Sequence, residues 1–209
     1  MRVLYNAKII ETDSIRRQAA EFQTVRIDVG TGSGRYIYKA ALRDKDCFCI
    51  GMDPVANAMR ETAAKAHKRK LANALFAVAA IETVPDDLAG LADNVTVILP
   101  WGSLRDGIVQ TSPVVLDGLR KLGKAGSELV VILGYDEGRD GCDITQRDLP
   151  KLSAEHFHSL APLYQKFGLV LTGAAGLQNA DIKALESDWA KRLAFGAARN
   201  FYRLTFQHE

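Results

Sequence analysis

A surplus of charge is what this 209-residue chain most plainly lacks: 27 lysines and arginines face 25 aspartates and glutamates, a formal net charge of +2. That balance excludes a supercharged tail and, taken over the whole chain, argues against a polyanionic partner. Long apolar runs are missing as well. No stretch reaches the roughly 18 apolar residues of a membrane span, and residues 1–10 have no apolar core of the secretory kind. A cytoplasmic protein away from the membrane is expected. Cysteine is scarce, at three residues. Cys47 and Cys49 flank Phe48, with Cys142 distant, and an odd count at this spacing fits neither a disulfide framework nor a zinc ribbon. Both near neighbours lie in the apolar run 47–52 and read as buried packing in a reducing compartment, and no metal is expected. The four histidines, His67, His156, His158 and His208, belong to no His/Asp or Cys/His constellation evident in the sequence and have no obvious partner. They read as surface or capping groups.

Strands and helices alternate along the rest of the chain. Residues 1–12 read as a hairpin turning at Asn6-Ala7, followed by a helix from an Asp13 cap to about Phe22. Short β-rich runs are expected at 24–29, 47–52, 75–78, 95–99, 128–133, 169–172 and 201–206. Helices are expected at 35–43, 55–70, 113–122 and, from a Ser153 cap, to Phe167. Such alternation is the mark of βαβ units and a parallel sheet. The expectation is a single α/β domain over 1–209, with a seven-stranded, mostly parallel sheet, helices on both faces and an added N-terminal hairpin. Residues 134–150 are rich in glycine and charge and read as a long mobile loop, a length usually tied to function. Segments 134–152 and 178–200 are both placed beside the substrate.

The chemistry begins at Asp28-Val-Gly-Thr-Gly-Ser-Gly34, between a strand and a helix. Its G-x-G-x-G spacing is tighter than the dinucleotide fingerprint. Gly30 and Gly32 let backbone approach a ligand closely, and Asp28 can accept a hydrogen bond from a ligand ammonium. Asp53 ends the next strand, 25 residues on, where a carboxylate grips ribose hydroxyls. This set resembles the class I S-adenosylmethionine-dependent methyltransferases. A bare β–α turn or a nicotinamide oxidoreductase are the competing readings, the latter lacking both the glycine spacing and a Tyr-x-x-x-Lys dyad. Ile81 and Glu82 follow the third strand; Ile81 could pack on an adenine ring, and Glu82 either approaches the sulfonium or caps the turn at Pro85.

Only two tryptophans occur, and both fall outside the strands. Enzymes that modify a base extrude it and hold it between flat apolar side chains, so Trp101 and Trp189 could form a clamp, or could be two ordinary half-buried tryptophans. The motif that amino-group methyltransferases carry after strand four is absent around Trp101, which disfavours an exocyclic amine as the target. Asp28-Val-Gly-Thr-Gly, Ile50-Gly-Met-Asp-Pro-Val55, Leu99-Pro-Trp-Gly-Ser-Leu104 and Trp189-Ala-Lys-Arg-Leu-Ala-Phe-Gly196 together resemble the aminoglycoside-resistance 16S rRNA (adenine-N1) methyltransferases of the Kam/Npm type, which act at adenine 1408 of the decoding site. The resemblance runs over almost the whole chain. It implies that Asp28, Gly30, Gly32, Asp53, Ile81, Glu82, Leu99, Pro100 and Ser103 surround S-adenosylmethionine. It further implies that Trp101 and Trp189 stack on the flipped adenine with Ser187 nearby, and that Arg147, Arg192 and Arg199 hold rRNA. The implied partner is the 30S subunit, met by a monomer. A methyltransferase for another RNA or a small molecule, or a non-catalytic RNA-binding module, remains the alternative.

The near-zero total hides two basic segments. Residues 60–70 hold Arg60, Lys65, Lys68, Arg69 and Lys70 against Glu61, a net +4. Residues 189–203 hold Lys191, Arg192, Arg199 and Arg203 with no acid, another +4. Lys65, Lys68, Arg69 and Lys70 are therefore candidate rRNA contacts, against the plainer reading of a solvated helix face.

Overall fold

The computed structural model describes residues 1–135, 137–185, 190 and 200–209. Its first elements are β1 (Arg2–Tyr5) and β2 (Lys8–Glu11), joined where Asn6 and Ala7 both take positive φ, 45° and 62°. Two successive left-handed residues give the turn whose twist suits a two-residue hairpin. Helix α1 (Ile15–Ala19) is shorter than expected and starts at Ser14 rather than Asp13.

Strand β3 (Thr24–Val29) leads through the glycine turn to α2 (Arg35–Arg43), and β4 (Cys47–Met52) leads to α3 (Ala56–Lys68). All six β4 residues are buried. A parallel strand covered on both faces must be continuously apolar, which is why Cys-Phe-Cys-Ile-Gly-Met carries no polar alternation. Cys47 and Cys49 are buried thiols, the Cys49 sulfur donating to that of Cys47 at 3.7 Å. Next come β5 (Ala74–Ala77), two short 3-10 turns at Ile81–Thr83 and Asp86–Leu88, and β6 (Ala92–Ile98). The chain continues through α4 (Gly102–Val109), α5 (Pro113–Leu122), β7 (Gly123–Gly134), α6 (Glu137–Gln146) and α7 (Ala154–Gln165). Strand β8 (Leu169–Leu177), α8 (Asn179–Ala184) and β9 (Phe201–His208) complete it.

The strand order is β2-β1-β5-β4-β3-β6-β7-β9-β8, so the sheet has nine strands rather than the expected seven. The difference is the hairpin. It joins the sheet edge through β1, which pairs antiparallel with β5 at Val3–Ala77. Strands β3 to β7 are parallel to one another, and β9 inserts antiparallel between β7 and β8. One large apolar cluster joins α1, α4, α5, α6 and α7 to the sheet, while α2 and α3 pack on the opposite face around Phe76, Cys49 and Met59.

Residues 134–150 are not the long loop that their glycines and charges suggest. They contain α6, whose Ile144 is buried along with the following Leu149. Two apolar anchors and several ion pairs hold this polar segment down. Within 178–200, α8 likewise forms, fixed by a capping box between Gln178 and Asp181. His208, expected at the surface or at a cap, is 2% exposed and wedged between Ser127 and the Leu119 carbonyl. Among the described residues no helix is long and apolar enough to cross a membrane.

Candidate active site

The chain runs β3, β4, β5 to one side and then returns to place β6 on the other side of β3. Open parallel sheets bind ligands at such a reversal, beyond the carboxyl ends of the strands. A cleft of about 230 Å³ lies there, lined by Gly30 and Gly32 after β3, Asp53 after β4, Ile81 and Glu82 after β5, and the segment following β6.

Each wall has a local cause. Gly30 and Gly32 take φ of 68° and 57°, where a Cβ is strained. A Cβ on Gly30 would also strike Leu104, whereas one on Gly32 would meet only open space. The turn is fixed by Asp53, whose Oδ2 accepts from the Gly32 amide at 2.9 Å and whose Oδ1 accepts from Val55 at 2.8 Å. Asp53 therefore ties the glycine turn to the start of α3 while its carboxylate edges the cleft.

Asp28 stands apart from the other candidate cofactor residues. It does not line the cleft; it is 2% exposed beneath the glycine turn, and the Thr96 hydroxyl donates to its Oδ1 at 2.7 Å. Burial pushes its carboxyl up to about 6, the Thr31 and Thr96 hydroxyls pulling the other way. Thr96, alone polar in the run Val95-Thr-Val97, carried too weak a signal to be singled out by sequence.

The rim after β6 is bent. Leu99 has φ of 52° although it precedes Pro100 and is 3% exposed. A left-handed non-glycine residue costs roughly 1–2 kcal/mol, and a following proline restricts its neighbour further. The bend turns Pro100 and Trp101 out of the sheet plane and over the cleft. Trp101 immediately precedes α4 at 39% exposure, and Ser103, in the first turn, donates to Glu82 Oε1 at 2.8 Å. Two candidate cofactor residues thus hold each other across the mouth. The cleft lining has two carboxylates, Asp53 and Glu82, and no lysine or arginine. Such a surface suits a cationic ligand and is poorly matched to a pyrophosphate.

Behind Trp101 lies a square of charges formed by Arg105, Asp106, Asp143 and Arg147, whose pairing no local sequence motif signals. Arg105, 2% exposed, contacts Asp106 and Asp143, both at 2.8 Å. Arg147 reaches the same two carboxylates, at 2.7 Å each. The two guanidiniums, Arg105 first, hold the Asp143 carboxyl below its ordinary range. Arg147 is accordingly not a free cation on a loop; it sits just past α6, bound to two acids.

The remaining candidates divide. Lys65 pairs with Glu61 on α3, while Lys68, Arg69 and Lys70 are exposed at its far end. Because α3 connects parallel β4 and β5, it runs back from the cleft, and its 13 residues carry those cations about 20 Å away. Trp189, Ser187, Arg192 and Arg199 lie outside the described residues.

Comparison with known proteins agrees with this geometry. A family model described as 16S rRNA (adenine(1408)-N(1))-methyltransferase matches residues 5–207. An Escherichia coli protein of that name is 32% identical over 215 residues, covering 98% of this chain and 97% of its own. A Streptoalloteichus tenebrarius protein of the same name is 30% identical over 180 residues, covering 83% and 82% respectively. Among solved structures, a variant of the Catenulisporales acidiphilia enzyme with cosubstrate SAM superimposes with a TM-score of 0.91 at 31% identity, covering all of this chain and 96% of that one.

Proposed function

This chain belongs to the 16S rRNA (adenine(1408)-N(1))-methyltransferase family, and we propose that it methylates N1 of that adenine within the assembled 30S subunit, using S-adenosylmethionine. It acts as a cytoplasmic monomer without a metal. The observation that carries the reading is an exposed Trp101 set by a bent backbone over a cleft whose carboxylates and open glycine turn fit a cationic nucleoside.

S-adenosylmethionine supplies a methyl group made electrophilic by its sulfonium. Asp53 receives the ribose hydroxyls, Ile81 packs on the adenine ring, and Gly30 and Gly32 admit the amino-acid end. Asp28 contributes negative charge from beneath, and Glu82, steadied by Ser103, faces the sulfonium side. Leu99 and Pro100 shape the wall that leads to Trp101. Trp101 and Trp189 then hold the extruded base so that its N1 lone pair points along the sulfur–methyl axis, with Ser187 beside it. Neutral adenine carries no proton on N1. The N–C bond forms as the C–S bond breaks, the positive charge passes from sulfur to the base, and no general base is needed. Alignment of this kind can supply roughly 7–11 kcal/mol. None of the four histidines lines the cleft.

The buried Asp28 makes cofactor binding pH-dependent. Its folded pKa, about 6, lies above its ordinary 3.8. The ligand-free fold therefore takes up a proton more readily than the unfolded chain and gains stability as pH falls through that window. A cationic ligand requires the carboxylate. Titration calorimetry should show the Kd for S-adenosylmethionine rising about tenfold from pH 7 to pH 5, and Asp28→Asn should flatten the profile. A flat profile in the unaltered protein contradicts this role.

The cations at the end of α3 stand too far from the cleft to touch the flipped nucleotide, and we assign them to a second rRNA contact. Neutralising Lys68, Arg69 and Lys70 should reduce the slope of log affinity against log salt by about 2 to 3, at roughly 0.7–0.9 per phosphate contact. An unchanged slope removes them from the interface. The function itself is tested by supplying labelled S-adenosylmethionine with intact small subunits, free transfer RNA or small amines. Methyl transfer only to subunits is expected; transfer to free substrates supports the alternative methyltransferase, and absence of cofactor binding supports a non-catalytic module.

A further inference from the structure

A stacking tryptophan offers one face to the base, so its orientation depends on what lies against the rest of the ring. In this chain Arg105, one helical turn after Trp101, places its guanidinium carbon 5.2 Å from the indole centroid. The same guanidinium is 5.6 Å from the centroid of Tyr135, just beyond β7. It has little room to move. Its Nε donates to Asp106 at 2.9 Å, its Nη2 contacts Asp143 on α6, and the side chain is 2% exposed. A buried arginine costs heavily in desolvation unless paired, and an apolar residue would fill the same buried position more cheaply. What the arginine adds is a planar cation, anchored by two acids from two helices, against an aromatic ring.

We propose that Arg105 is a positioning residue for base stacking: its guanidinium, fixed by Asp106 and Asp143, sets the plane of Trp101 and thereby the aim of N1. This inference rests on the role given to Trp101 above. Arg105 touches neither base nor cofactor in this account and acts through the indole alone.

The chain has two tryptophans, so a Trp189→Phe background makes Trp101 the sole reporter. In that background Arg105→Met should raise acrylamide quenching of Trp101 fluorescence by about twofold, because the ring loses its cationic support. In the otherwise unaltered protein, Arg105→Met should slow single-turnover methylation of small subunits about tenfold and leave the Kd for S-adenosylmethionine within about twofold, as expected when only alignment is lost. Arg105→Lys keeps a cation under the ring and should recover at least about a third of the rate. Asp143→Asn, which keeps Arg105 but removes an anchor, should shift quenching and rate in the same directions and serves if Arg105→Met does not fold. Unchanged quenching and rate in Arg105→Met, or an Arg105→Lys variant as slow as Arg105→Met, overturns the proposal. The two readings separate through Trp101→Ala: full activity there removes the clamp itself, whereas an inactive Trp101→Ala beside a fully active Arg105→Met removes only the role of Arg105.

Discussion

Trp101→Ala is expected to lower methylation of small subunits by at least about 100-fold while the Kd for S-adenosylmethionine stays within about twofold. Stacking on one aromatic side chain is worth about 1–3 kcal/mol per base, which accounts for about fivefold to somewhat over a hundredfold. Misplacing the reacting atoms by about 1 Å adds a further loss of about 100-fold. Trp101 is able to exert both effects because it sits at a fixed bend just before α4 and is 39% exposed over the cleft. Trp101 lines only the outer rim of the cleft and most of the cofactor wall comes from other residues, so binding of the small ligand should survive. Trp189→Ala should behave in the same way, on the strength of its sequence motif, since that position is outside the described residues. Trp101→Phe keeps a stacking face and should retain intermediate activity. Full activity in either alanine variant sinks the clamp.

Asp53→Ala should have the second large effect, on cofactor binding. A hydrogen bond to a charged group contributes about 1.5–3 kcal/mol, so losing two to ribose hydroxyls costs about 3–6 kcal/mol, or a Kd raised about 100-fold or more. The structure adds a further reason. Both carboxylate oxygens already accept backbone amides, from Gly32 and from Val55, so alanine would also release the glycine turn from the head of α3. Asp53→Asn keeps one acceptor oxygen and should fall between the two. A Kd for Asp53→Ala within about threefold of the unaltered protein, measured by calorimetry, is incompatible with this assignment.

Much of the frame could be read from residues alone, for definite reasons. Strands 24–29 and 47–52 and helices 35–43 and 113–122 match the observed bounds, because each is bracketed by a breaker: the glycine turn, Asp53-Pro54, or Pro113 at a helix start. Helix α4 was missed. Its first residue is a glycine with φ of 59° and it has no side-chain cap, so neither start signal was present. Helix α6 was missed because its stabilisation is tertiary. The contacts of Arg105 with Asp143 and of Arg147 with Asp106 join segments about 40 residues apart, and no local periodicity encodes them. The same distance hides the pairing of Arg147 with Asp106 from the sequence, while the rRNA role that the resemblance implies for Arg147 stands as a proposal. Nine strands stand in place of seven because the hairpin's pairing with β5 is a long-range contact of the edge.

The candidate cofactor residues were legible for a different reason. Strand ends converge at a reversal of strand order, so motifs far apart in sequence fall around one cleft. Asp28 shows the limit of that rule. Its place at a strand end suggested direct contact, yet the pleat turns it beneath the glycine turn, where it accepts from Thr96. The charge balance was misleading in the same way. A net charge of +2 says nothing of where cations gather, and the exposed group at the end of α3 is one such gathering.

The central claim is that this chain methylates N1 of adenine 1408 within the small subunit. A methyl on N1 blocks the Watson–Crick edge, so reverse transcriptase must stop beside it. Purified small subunits incubated with the protein and S-adenosylmethionine should give one new cofactor-dependent stop, at the decoding-site adenine, and that stop should vanish with Trp101→Ala. Methyl transfer without a stop at that adenine, or a stop at another position, would contradict the account.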